Sequence, residues 1–349
     1  MPLNIRQALC FDDVQLIDGF NPVRSRSEVS LETEEGYVPI FIAPMMAVNS
    51  PAMQLAAIEA NIVHVLHRYN TVQDRLDFVS GLELKGEGRK NIGLSIGMQD
   101  DKYDDIMRLS EAAGHLNFDV AACYSEAVVT HLQKIMGFLA GTDTHLIVGN
   151  YSNPAFAELI ASLAPKDLKL TLKVSQGGSG VCSTRLMTGV GVPTFQAVVD
   201  SAPITQANGY GLIADGGVKT PGDMVKAFAA GATGVMCGGM FAAHTECDSA
   251  YRIVTDQGVF YEYFGMASER AKKQHFKTVK NVEGVSSLKR HKGHVKGTIG
   301  TIKDGLQSGV SMQGFSSLRD LIGEGQFVQV SGAGVREAST YSKIGPSFG

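Results

Sequence analysis

Short apolar runs punctuate this chain at a regular interval. They are Ile40–Pro44, Val63–His67, Ile92–Gly97, Phe118–Cys123, His145–Asn150, Leu170–Ser175, Gly211–Asp215 and Gly234–Gly238. Most are bounded by Gly, Pro, Asn or Asp, and most are continuously apolar, as expected of strands covered on both faces. Helix-length segments lie between them, and three carry clear start signals: Ser50-Pro51, Asn153-Pro154 and Thr220-Pro221 each set a capping side chain before a proline at the first helical position. Successive strand starts fall 23–29 residues apart, except for a 41-residue interval from Leu170 to Gly211. Eight strands alternating with helices predict an α/β (β/α)8 barrel, for which about 250 residues is typical. A doubly wound sheet is the alternative, and the lack of a G-x-G-x-x-G after an early strand weakens it.

The length of 349 residues exceeds a minimal barrel. The surplus falls in a lead-in (1–38), in the glycine-rich loop after the sixth strand, and in an excursion from Phe241 to about Gly297. The expected organisation is a single domain over 1–349 with no inserted regulatory domain, because only about 25 residues separate His67 from Ile92. The net charge of −4, with no Lys/Arg cluster interleaved with aromatics, speaks against a nucleic-acid partner. Five cysteines (Cys10, Cys123, Cys182, Cys237, Cys247) without a C-x-x-C pair point to reduced thiols and to no metal site. With no apolar leader and no bilayer-length run, a cytoplasmic protein with no membrane partner is expected.

Candidate chemistry collects where a barrel places its ligands, at the strand C-termini. Strand seven ends in Ala214-Asp215-Gly216-Gly217 and strand eight in Cys237-Gly238-Gly239-Met240, and paired glycines there expose backbone N–H groups to a phosphate. The loop after strand six, Ser175–Gly191, holds five glycines in seventeen residues, together with Cys182 and the hydroxyls Ser183-Thr184. A structural loop with an incidental small hydrophobe is the simpler account of that cysteine; a nucleophile sharing one rim with a phosphate site is the functional one.

The residues at this point resemble the IMP dehydrogenase/GMP reductase family. The matching pieces are FDDV (Phe11–Val14), RSRSEVSL (Arg24–Leu31), GVCSTRLMTGVGVP (Gly180–Pro193), ADGGVKTPGDMVKAFAAGA (Ala214–Ala232), VMCGGM (Val235–Met240), Gly265-Met266 and VEG (Val282–Gly284). The resemblance implies that Cys182 attacks carbon 2 of the purine of a nucleoside monophosphate, while a hydride passes between that carbon and a nicotinamide. It implies Cys182, Thr184 and Glu283 as catalytic. Ser179, Gly180, Asp215, Gly217, Gly238, Gly239, Met266, Ala267, Lys280 and Gly284 would bind substrate, with Asp215 on the ribose hydroxyls. Arg68 and Asp119 would serve the cofactor, which is NADPH with NADH as the alternative carrier. A monovalent cation near the Cys182 loop and a homotetramer belong to the same implication.

The family has two branches. The dehydrogenase needs a long flap with an Arg-Tyr pair that activates water, whereas the stretch from Met266 to Glu283 is short, with Arg270 its only arginine. The reductase pairs a threonine two residues after the cysteine with a flap glutamate, matching Thr184 and Glu283. NADPH-dependent reductive deamination of GMP, or of a close guanine nucleotide, is therefore the leading expectation, and NAD-dependent IMP dehydrogenation the second. A flavin-dependent barrel or a non-catalytic nucleotide binder would leave the Cys182–Thr184 pairing without purpose. The chain departs from the pattern at Gly180 (usually serine), at Met45-Met46-Ala47-Val48 (usually M-D-T-V), at Arg68 (usually lysine), at Ala122-Cys123 within D-V-A-N-G-Y-S, and at Lys280 (usually arginine). Its SGAGVRE tail, Ser331–Glu337, looks more like the dehydrogenase.

Overall fold

A computed structural model describes residues 5–82, 84, 88–275 and 279–338. Eight parallel strands close into a barrel: β1 (Ile40–Ile42), β2 (Val63–Leu66), β3 (Ile92–Ile96), β4 (His115–Asp119), β5 (His145–Tyr151), β6 (Leu170–Val174), β7 (Gly211–Asp215) and β8 (Gly234–Cys237). Closure comes from β1 on β8, with Ile40 opposite Val235 and Ile42 opposite Cys237. Alternation along the strands divides the core. Phe41, Val63, Val65, Ile147, Ile213 and Met236 pack together in one cluster with Tyr37, while Ile40, Ile42, Leu94, Ile96 and Leu172 belong to the larger core that includes the helices.

Seven of the expected strands lie within a residue or two of their observed bounds. The fourth is shifted: the run Phe118–Cys123 becomes His115–Asp119. Its polar members are accommodated by partners. Asn117 Nδ2 donates to Ser95 Oγ at 3.0 Å, and the His115 ring meets Tyr37 and Phe41 edge-on at 5.3 and 5.6 Å. Beyond Asp119 the chain turns away, with Val120 N bonded to Gly149 O and Cys123 N to Asn150 O.

The three start signals are all realised as caps. Ser50 Oγ accepts from Met53 N, Asn153 Oδ1 from Ala155 N, and Thr220 forms a capping box with Asp223, each cap contributing about 1 kcal/mol. The excursion after β8 forms an antiparallel sheet of β9 (Arg252–Thr255), β10 (Gly258–Phe264) and β11 (Ser286–Arg290). This arm returns to the C-terminal rim of the barrel, where Tyr263 Oη donates to Met45 Sδ at 3.4 Å and Lys289 Nζ to Gly239 O at 3.2 Å. Residues 276–278 of the flap stretch lie outside the described residues. At the other end of the chain, Val14–Leu16 pairs antiparallel with Phe327–Gln329. Among the described residues no helix is long and apolar enough to cross a membrane.

Candidate active site

The loops at the strand C-termini and the arm enclose a cavity of about 770 Å³. The Cys182 loop forms one wall. Cys182 N donates to Ser179 O at 3.1 Å, closing the turn that presents the thiol. A short helix, Thr184–Thr188, follows and ends at Gly189 with φ of 70°. Arg185 braces the loop by donating to the carbonyls of Gln176 and Val192.

A hydrogen-bonded chain runs from the thiol. Cys182 Sγ lies 3.1 Å from Thr184 Oγ1, and Thr184 Oγ1 donates to Glu283 Oε2 at 2.9 Å. Because the threonine proton is committed to the carboxylate, the threonine oxygen accepts from the Cys182 S–H. Ninety-nine residues separate Thr184 from Glu283, and backbone bonds hold them together. Ser183 N donates to Glu283 O at 3.0 Å, Glu283 N to Ala267 O at 3.1 Å and Val285 N to Val181 O at 2.9 Å. Gly284 permits this clamp, since a Cβ there would stand 3.0 Å from Ser268 N and 3.1 Å from Val181 O.

A lysine that the apolar strand pattern hides bonds to three residues that line the cavity, Asp119, Asn150 and Asp215. Lys173, on β6, has a side chain only 1% exposed, and its ammonium lies 2.8 Å from Asp215 Oδ2 and 3.4 Å from Asp119 Oδ1. It also donates to Asn150 Oδ1. Burial pulls its pKa down, but the two carboxylates together outweigh burial and leave it raised. The hub thus joins Asp215 and Asp119, the expected substrate and cofactor carboxylates, through one cation.

The end of the cavity where an anion is expected is built from the turns after β7 and β8. Gly216 and Gly217 have φ of 80° and 77°, a left-handed pair that residues with a Cβ adopt only under strain. Gly238, Gly239 and the Tyr263 ring border the same end of the cavity, and burial pushes the Tyr263 hydroxyl pKa up, keeping it protonated. Ser179, Gly180, Met266, Ala267 and Arg68 also border the cavity. Arg68 lies over the Tyr69 ring at 5.2 Å, and Met266 O accepts from Tyr69 Oη at 3.0 Å. Two expected substrate residues fall elsewhere. Lys280 is exposed and offers its carbonyl to Lys272, and Gly284 serves the clamp behind Glu283 without bordering the cavity. Lys173, Asn150, Tyr263, Lys289 and Lys292 border or underlie the site without having been expected there. Only the lone lysine inside the run Leu-Thr-Leu-Lys-Val carries a signal that the sequence could have given.

A closed parallel barrel with a thiol–hydroxyl–carboxylate chain and paired glycine turns lining a cavity at its C-terminal rim has the architecture of a (β/α)8-barrel enzyme. The family model described as "IMP dehydrogenase / GMP reductase domain" matches residues 8–341. A GMP reductase of Vibrio cholerae is 33% identical over 337 residues, covering 92% of this chain and 94% of the relative. A GMP reductase of Yersinia enterocolitica is 33% identical over 340 residues, covering 93% and 95%. The chain belongs to the IMP dehydrogenase/GMP reductase family.

Proposed function

We propose that this protein catalyses the NADPH-dependent reductive deamination of GMP, or of a close guanine nucleotide, to IMP and ammonia through a covalent bond from Cys182 to purine carbon 2. The observation that carries this reading is the chain Cys182–Thr184–Glu283, at 3.1 and 2.9 Å. The cysteine proton passes across Thr184 to Glu283 as Sγ bonds to carbon 2. The same proton returns from Glu283 to the 2-amino group as the carbon–nitrogen bond breaks and ammonia departs. A thiolate then leaves carbon 2 once that carbon has accepted a hydride, restoring the aromatic ring of hypoxanthine. The balance is GMP, NADPH and two protons in, and IMP, NADP⁺ and ammonium out.

Two further residues bordering the cavity, Asp119 and Arg68, suit a nicotinamide carboxamide and a linking phosphate. Asp119 keeps a quarter of its side chain exposed beside Lys173, and Arg68 is held over Tyr69. The bound cofactor would supply the hydride; Asp119 would accept from the carboxamide, and Arg68 would offset phosphate charge. No Arg-Tyr pair occurs between Met266 and Glu283 to activate water for the dehydrogenase reaction, and the matching relatives are named for the reductase. Incubation with a panel of purine monophosphates and NADPH, following ammonia and the nicotinamide absorbance band, tests the proposal. Turnover with a guanine nucleotide is expected. Formation of xanthosine monophosphate from IMP and NAD would move the assignment to the dehydrogenase branch.

A further inference from the structure

Two lysines of the arm converge on the anion end of the cavity, and nothing in the mechanism above uses them. Lys289, on β11, donates through Nζ to Gly239 O at 3.2 Å and lies 4.9 Å from the centre of the Tyr263 ring. Lys292 donates through Nζ to the same Gly239 O at 3.4 Å and to Met240 O at 3.2 Å. Both side chains border the cavity beside Gly239 and Tyr263. On a strand whose Ser286, Ser287, Leu288 and Arg290 are all exposed, Lys289 alone is partly buried.

Among the described residues neither ammonium has a carboxylate partner; their acceptors are backbone carbonyls. Lys219, the third lysine bordering the cavity, differs in being paired with Asp12 at 2.8 Å. Two like charges sharing one carbonyl, Lys289 partly buried and Lys292 exposed, are an unbalanced arrangement. Burial lowers both pKa values, and Lys289 lowers that of Lys292 further. An ammonium has three donors. Lys289 spends one on Gly239 and Lys292 two on Gly239 and Met240, so donors remain for a ligand at the glycine turn. The charge that the two ammoniums would balance is that of one dianion.

We infer that Lys289 and Lys292 form a two-cation clamp for the dianionic phosphate of the nucleotide, so that this barrel selects phosphate charge with side chains as well as with glycine amides. The inference rests on the nucleotide reading above and adds the specificity residues of its anion end. Charge-assisted bonds from two ammoniums are the strong kind, and their loss is read as affinity.

The test is equilibrium titration of GMP, guanosine and inorganic phosphate into the wild type, Lys289→Ala, Lys292→Ala, the double variant and Lys289→Arg, with thermal midpoints as the check on folding. The double variant should bind GMP at least roughly 30-fold more weakly, with guanosine affinity unchanged within about twofold and a shallower salt dependence for GMP. Lys289→Arg should retain most of the GMP affinity. A GMP affinity in the folded double variant within about threefold of wild type overturns the clamp, as does an equal loss for guanosine. Lysine-dependent binding of inorganic phosphate by a wild type that takes neither GMP nor guanosine keeps the clamp and removes the nucleotide reading. A wild type that binds none of the three ligands overturns both.

Discussion

Lys173→Met removes the cation that two carboxylates share and leaves Asp215 and Asp119 facing each other. Methionine keeps most of the lysine stem, so the packing loss is small. Breaking a fully buried ion pair from one side costs about 3–5 kcal/mol, because the partner is left charged and desolvated. Here the lysine side chain is 1% exposed, but Asp215 and Asp119 are 19% and 25% exposed. Water on the carboxylates discounts the penalty to roughly 2–3 kcal/mol. Urea unfolding at neutral pH should show that loss as a lower midpoint with an unchanged slope. Adding Asp215→Asn removes one stranded charge, so the double variant should recover at least about 1 kcal/mol relative to Lys173→Met alone. The pH dependence has a definite sign. A lysine whose folded pKa is raised stabilises fully below its unfolded value of about 10.5, and this contribution fades as pH rises through the folded value. The gap between wild type and variant should therefore hold from pH 7 to 9. A Lys173→Met variant as stable as wild type, or losses that simply add in the double variant, would refute the hub.

Glu283→Gln keeps the size and the bond from Thr184 but removes the group that stores the proton. The ammonia-releasing rate should fall at least about a hundredfold with little change in nucleotide affinity, measured by single-turnover ammonia release and by titration; a loss under about fivefold would take the carboxylate out of the relay. His64 is buried between Gln54 Oε1 at 2.8 Å and Asn49 Nδ2 at 2.7 Å, a site for a neutral ring that donates to one and accepts from the other. Burial, with help from His67, lowers its pKa from 6.5 to about 3. A depressed folded pKa stabilises above pH 6.5 and loses that contribution as pH falls towards 3, so wild-type stability should decline through this window. His64→Gln should make that decline shallower by up to about 1.4 kcal/mol per pH unit, and an identical slope in the variant would contradict the neutral-ring account.

The barrel was legible because its outward-facing positions are apolar and recur at a steady spacing. Legibility failed where a strand turns polar groups inward. His115 and Asn117 break the run on β4, and Lys173 passes unnoticed on β6 because its neighbours supply enough hydrophobicity. The arm was illegible for a different reason: β9 is exposed throughout and β11 nearly so, so neither strand needs an apolar alternation. Cys182 stood out by its glycine-rich setting, but Glu283 could be joined to it only through the family resemblance, since the backbone clamp between them bridges distant segments. Lys280 illustrates the limit of such a transfer. A motif position matched an arginine, whereas in the fold Lys280 is exposed and does not border the cavity.

The central claim is that Cys182 makes a covalent bond that the glycine turns and their neighbours do not depend on. Cys182→Ala removes the sulfur and leaves the anion end, the Lys173 hub and the Thr184–Glu283 bond in place. Side-by-side titration with GMP and steady-state turnover with GMP and NADPH are predicted to show nucleotide affinity within a few-fold of wild type and no detectable ammonia release. Near-normal turnover in Cys182→Ala would contradict covalent catalysis at this cysteine.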